Sequence, residues 1–295
     1  MINFNKFYRL FNLISLSLVI ISILLLFFKG LNFGIDFKGG TLIELRANDQ
    51  NINVTSLRQS FSKMNLGDFN VKKFGNENDF LIKIEKKDTS ANAIEIIKNE
   101  LITSIGSSFN FRRVENVGPK VSAELLKSGV IAILLSLAAM LFYIWIRFEW
   151  QFSLGAILAL FHDVVITLGF FSLFDLEINL SIIAAILTIV GYSMNDTVVI
   201  YDRVRENLRK FSDIKIFELT NISINETLSR TIITSVTTLL ALVSIYLFGG
   251  EILKGFSLAM IMGVLFGTYS SIYIANPILV KLRVSQKTIL KEDTE

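Results

Sequence analysis

Asp196 is the one charged residue within residues 178–201, whose other positions are uncharged and mostly apolar. An ionised carboxylate at the centre of a membrane helix costs about 2.5 to 3.5 kcal/mol on insertion scales, so such a residue normally faces a bundle interior and holds or moves an ion. Arg230 stands at the start of the next apolar run, which crosses in the opposite direction, so the cation is expected at a depth comparable to the acid. Burial favours the neutral acid and a nearby guanidinium the charged one, so a moving arginine would switch the carboxylate between its two forms. That is a proton-coupling device, and Asn195, next to the acid, is counted with it. A static buried ion pair or hydrogen-bonded strut fits the same residues.

His162 and Asp163 lie side by side near the middle of another apolar run. A relay is one reading. Successive helix positions point about 100° apart, so the two do not share one seam squarely, and a hydrogen bond to a neighbouring helix is the other reading. Enzymatic chemistry is poorly served. The sequence has no GxxxxGK[ST], HExxH, GxSxG or paired-cysteine motif, no cysteine and a single histidine, so P-loop ATP hydrolysis and thiolate or multi-histidine metal sites are excluded. No cofactor is expected.

These residues need a scaffold of membrane helices. Over 295 residues the chain is 52% hydrophobic, with the apolar residues gathered into long runs. About 20 apolar residues cross a hydrocarbon core, and six runs reach that length: 11–28, 128–146, 152–174, 178–201, 231–248 and 255–280. The first follows Lys6 and Arg9 as in a signal peptide but continues into Lys29-Gly30-Leu31-Asn32 rather than a cleavage site, so it reads as an anchor. Lys and Arg concentrate at 1–10, at Arg147, in 202–230 and in the 281–295 tail, while the two short loops on the other side hold only Lys254. The positive-inside rule then puts both termini in the cytoplasm and residues 29–127 outside. The net charge of +3 reflects this bias, and nothing in it suggests nucleic acid.

The outer segment reads as α+β. Strands are expected at 41–47, 69–74, 79–86 and 109–114. Helices are expected at 54–64, with Leu57, Phe61 and Met64 on one face, and at 90–105, capped by Ser90 and striped by Ile94, Ile97, Leu101 and Ile105. In the 79–86 strand Phe80, Ile82 and Ile84 alternate with Leu81, Lys83 and Glu85. This order is the ferredoxin-like split pattern. The fold class is therefore an all-α six-helix membrane bundle with an inserted ferredoxin-like α+β domain.

Two helix faces are distinctive. The last run carries small residues at every fourth position, Gly255, Ala259, Gly263, Gly267, Ser271 and Ala275, a ridge that serves either packing within the bundle or a subunit interface. Pro277 is expected to kink or end that helix. In the fifth run Arg230, Thr234, Thr237, Ala241 and Ser244 share one sector, a polar seam led by a cation.

Several motifs together resemble a known family: Gly34-Ile35-Asp36-Phe37-Lys38-Gly39-Gly40-Thr41, Val117-Gly118-Pro119, Phe161-His162-Asp163-Val164, the stretch from Gly191-Tyr192-Ser193-Met194-Asn195-Asp196 to Arg205-Glu206-Asn207, and Arg230-Thr231-Ile232-Ile233-Thr234-Ser235. They resemble the SecD/SecF family of RND-type protein-export subunits over nearly the whole chain, and the short length and small outer domain resemble its smaller subunit. The resemblance implies a half-bundle completed by SecD in the bacterial inner membrane. It implies use of the proton motive force to pull exported polypeptide through the SecYEG channel after the SecA motor, with membrane lipids around it. The family's functional aspartate and arginine fall on Asp196 and Arg230. Gly34, Asp36, Gly39 and Gly40 read as a structural turn into the first strand rather than a substrate contact. Half of a small-molecule or lipid exporter, and a non-transporting assembly scaffold, are the alternative functions. A carboxylate serves H⁺ or Na⁺ equally.

Overall fold

The computed structural model describes residues 1–48, 52–64, 68–75, 78–85, 95, 97–99, 101–103, 109–211 and 214–290. The chain divides into two compact units, one of residues 1–32, 132–176 and 181–295 and one of residues 33–131 and 177–180.

The larger unit is helical, with residues 119–131 and Leu180, the starts of two of its helices, counted in the smaller one. Among the described residues six helices are long and apolar enough to cross a membrane. These are α1 (Tyr8–Phe28, entered through a 3-10 turn at Phe4–Phe7), α4 (Pro119–Arg147), α5 (Trp150–Leu173), α6 (Leu180–Lys210), α7 (Ile216–Phe248) and α8 (Glu251–Ser270), which continues through a π turn (Ser271–Ala275) into α9 (Asn276–Lys281). About half of the most apolar stretch of α5, α6 and α8 is buried, against less than a fifth in α1, α4 and α7. The first three are thus the centre. The others turn side chains such as Leu13, Leu135 and Leu240 outward, as lipid permits and water does not. Only Tyr8, Ser15 and Ser22, seven residues apart, form the buried stripe of α1.

The helices overrun the apolar segments. Most of residues 202–230, read from sequence as a loop, belongs to the ends of α6 and α7. Apolar length reports the thickness of the hydrocarbon, whereas a helix continues for as long as its backbone bonds and polar contacts last. Here Asn207 donates to Ser223 Oγ at 3.0 Å and to Glu226 at 2.7 Å, and Arg203 pairs with Glu226 at 2.7 Å, tying the two extensions together.

The smaller unit holds β1 (Asn32–Phe33), α2 (Ile35–Lys38), β2 (Gly40–Ala47), α3 (Val54–Lys63), β3 (Phe69–Lys73), β4 (Asp79–Ile84), β5 (Phe109–Val117) and β6 (Glu177–Ile178). Four strands form an antiparallel sheet in the order β3-β4-β2-β5, with Ile43 opposite Ile82 and Val114, and a register shift at Glu44/Leu45 on the β5 side. Phe80, Ile82 and Ile84 are fully buried, and Leu57 and Phe61 of α3 cover that face with Ile97 and Leu101. Asn53 starts α3 by accepting from the Ser56 N–H at 2.9 Å in a capping box. Residues 97–99 and 101–103 are helical. The expected cap Ser90 and the stripe positions Ile94 and Ile105 lie outside the described residues.

Candidate functional site

Asp163 is the most enclosed acid in the helical unit, with no exposed surface. Its Oδ2 accepts from Ser193 Oγ of α6 at 2.5 Å and from Ser270 Oγ of α8 at 2.7 Å. Its Oδ1 meets His162 Nδ1 at 2.8 Å. The adjacent pair, which helix geometry keeps from sharing one seam, therefore contact each other instead, the imidazole turning back onto the carboxylate. His162 then stacks on Tyr269 at 5.9 Å, and its Nε2 is buried with no partner. Tyr269 in turn bonds Ser15 and the Phe11 carbonyl of α1, at 2.7 and 2.8 Å. A polar path from Asp163 to α1 results.

One turn along α6 from Ser193, Asp196 is 2% exposed. It accepts from Thr268 Oγ1 of α8 at 3.3 Å, and Thr268 shares a 2.7 Å bond with Ser235 of α7. Two carboxylates from two helices thus approach α8 within one turn, Asp163 at Ser270 and Asp196 at Thr268, the first tightly held and the second loosely.

Arg230 is exposed and reaches Asp196 only through its field, without a contact ion pair. The sequence reading that lets the two pair is not realised in this arrangement. The seam it leads is also turned outward, since Thr237, Ala241 and Ser244 are exposed and each hydroxyl bonds its own helix, Thr237 to Ile233 O and Ser244 to Leu240 O. Around Arg230 the buried residues of α7 are Thr227, Thr231 and Ser235. Helical periodicity groups residues into a sector but does not say which sector looks inward. Asn195, about 100° from Asp196, is exposed as well.

The small-residue ridge is filled by the chain's own α6. A side chain at Gly263 would meet Ile189 Cγ1 at 2.2 Å, one at Gly267 would meet Ser193 Cα at 3.1 Å, and Gly255 faces Ile182. Ala259 and Ser271 are fully buried, Ser271 sharing a 2.8 Å bond with Thr197. This close approach is what brings Ser270 and Thr268 to the carboxylates. The π turn contributes too. Ser270 and Ser271, at its entrance, are both fully buried, and two carbonyls of the turn are capped by side chains, Ala275 O by Tyr201 at 3.0 Å and Ser271 O by Asn276 at 2.7 Å. Pro277 follows at the start of α9, where its missing N–H is tolerated.

In the glycine motif, Gly39 and Gly40 have φ of +80° and +129°, and a side chain at Gly40 would strike Ile84 O at 2.4 Å. Gly34 donates to Ile178 O at 2.8 Å. Asp36 accepts the Leu180 N–H at 2.9 Å, so its carboxylate sits at the first residue of α6, where helix N-termini favour negative charge. This cap was not part of the sequence reading.

The hydroxyl partners Ser193, Thr197, Ser235, Thr268 and Ser270 were not singled out from sequence, and Ser271 was read only as a small residue of the packing ridge. A signal existed in the run Gly267-Thr268-Tyr269-Ser270-Ser271 inside an otherwise apolar helix, and in Ser193 three residues before Asp196.

Comparison with known proteins gives the following. The family described as Protein export membrane protein SecD/SecF, C-terminal, matches residues 97–285, and the SecD/SecF GG Motif matches residues 24–50. Protein translocase subunit SecF of Rickettsia bellii is 48% identical over 279 residues, covering 94% of this chain and 92% of that protein. The protein of the same name from Rickettsia prowazekii is 45% identical over an equal length. The crystal structure of SecDF, a translocon-associated membrane protein from Thermus thermophilus, matches with a TM-score of 0.86 at 37% identity, covering 95% of this chain, which spans only 38% of that longer one.

Proposed function

Since the chain belongs to the SecD/SecF family, as a protein translocase subunit of the SecF type, we propose that it uses the proton motive force to promote late-stage protein export, with Asp196 as the coupling acid. The observation that carries this reading is a buried carboxylate in a membrane-crossing helix whose partners are neutral hydroxyls, Thr268 at 3.3 Å and Ser235. Neither a fixed cation nor a full set of donors locks it, so it is free to gain and lose a proton as its surroundings shift. Arg230 acts from a distance, and Asp163 with His162 holds the helices in register.

SecD is the proposed partner. Asn195 and Arg230 turn outward from membrane-spanning helices, and polar groups there call for a second protein surface rather than lipid. The solved SecDF chain, of which this chain matches a part, supports the same pairing. The outer segment is read as a ferredoxin-like domain, supported by the β3-β4-β2-β5 order with helices between first and second and between third and fourth strands. We place it outside the bacterial inner membrane, with both termini cytoplasmic and the complex acting beside the SecYEG channel after SecA, on exported polypeptides.

The test is late-stage translocation in membrane vesicles with and without a proton gradient, comparing Asp196→Asn with wild type. A half-exporter of small molecules would show gradient-driven solute flux instead, and a scaffold would show neither.

A further inference from the structure

A second polar feature of the helical unit lies apart from the carboxylates, where α4 and α6 leave their apolar stretches. A cavity of about 600 Å³ opens there. Four cations line it, Arg147, Arg205, Arg209 and Lys210, against two carboxylates, Asp202 and Glu206. Arg147 pairs with Asp202 at 3.0 Å and Lys210 with Glu206 at 2.6 Å. Arg205 reaches Glu149 at 2.8 Å, yet its Nε stays buried without a partner. Arg209 is exposed and joins no ion pair among the described residues. The cavity therefore keeps a positive surplus after its internal pairs are formed.

Its other wall is apolar. Tyr143 and Ile146 line it, and both are more than half exposed. Trp145 and Trp150 flank them with 66% and 59% of their surface exposed. Aromatic side chains in this setting mark the level of lipid headgroups, and basic pockets between membrane helices at that level recognise anionic headgroups. A free phosphate would use the cations and leave the apolar lip idle. A phospholipid uses both.

We propose that this cavity binds an anionic phospholipid, Arg209 and Lys210 holding the phosphate and Tyr143 and Ile146 lying along the start of an acyl chain. The assignment is independent of the coupling mechanism and of which face of the membrane the cavity occupies.

The test is native mass spectrometry of the full chain, delipidated in detergent and titrated with phosphatidylglycerol or phosphatidylcholine of matched acyl chains. Phosphatidylglycerol is expected to be retained about 25-fold over phosphatidylcholine, since each of the two phosphate-holding cations contributes on the order of a fivefold preference for an anionic surface. The Arg209→Gln, Lys210→Gln double variant should lose that preference, while Arg209→Lys with Lys210→Arg keeps it. A melting curve on each variant separates lost binding from lost folding. Equal retention of the two lipids, or unchanged phosphatidylglycerol retention in a folded double glutamine variant, overturns the proposal. So does displacement of the lipid by excess inorganic phosphate, which would identify a site for free anions.

Discussion

The two acids differ in how completely their oxygens are occupied. Asp163 uses both, one on His162 and one on two serine hydroxyls. Asp196 meets two neutral hydroxyls, Thr268 at a long 3.3 Å and Ser235. We predict that Asp196→Asn keeps the fold and abolishes gradient-dependent stimulation of export in vesicles; a full response in that variant would make the carboxylate a strut. Arg230→Lys, which keeps the charge, should impair export less than Arg230→Met. Asp163→Ala strands Ser193 in a buried site, at about 1 to 3 kcal/mol for an unsatisfied group, and leaves Ser270 its bond to Gly267 O at 3.2 Å, whereas Asp163→Asn retains an acceptor for both. A detergent melting curve for Asp163→Ala matching wild type would dismiss the packing role. Both acids were legible from sequence because charge in an apolar run is conspicuous. Their hydroxyl partners were not, because a serine or threonine in a membrane helix bonds its own backbone as readily as a neighbour, as Thr234 and Thr237 do here. The orientation of Arg230 was not legible, because periodicity does not say which sector of its helix turns away.

Packing of α6 against α8 sets the distances between those residues. Gly263→Val places a side chain where Ile189 already stands, and overpacking of this kind costs about 1 to 3 kcal/mol. We predict a lower melting temperature together with reduced coupling, since Ser270 and Thr268 would be pushed off the carboxylates. Gly255→Ala, half-buried and meeting only the Ile182 Cδ1 atom at 3.2 Å, should be close to neutral. If the two variants melt alike, the ridge does not set the spacing. The ridge was visible as a period of four, but whether another chain or this one filled it was not, since small residues serve both. The six apolar runs, the strands of the sheet and α3 were legible from hydropathy and alternation. The π turn was not, because it depends on Tyr201 and Asn276 reaching particular carbonyls, which no local pattern encodes.

At the scale of the molecule, the two units have separate apolar interiors, one among the helices and one under the sheet. Residues 30–120 expressed alone should therefore fold as an α+β unit, and a disordered circular dichroism spectrum would count against its independence. Which side of the membrane each unit occupies rests on the distribution of Lys and Arg. The chain has no cysteine, so any introduced thiol is a unique reporter. Ser60 and Asn207 would be poor positions for it, being 7% and 1% exposed. Gln59→Cys and Lys72→Cys in the sheet unit, and Lys215→Cys and Lys287→Cys in the helical unit, sit at exposed residues. We predict that a membrane-impermeant maleimide added to the outside of intact spheroplasts labels the first two and spares the last two, with the pattern reversed in inverted vesicles. Labelling of Gln59→Cys from the cytoplasmic face would invert the topology, and the cation-rich ends of α6 and α9 would then stand outside, against the charge bias on which the orientation rests.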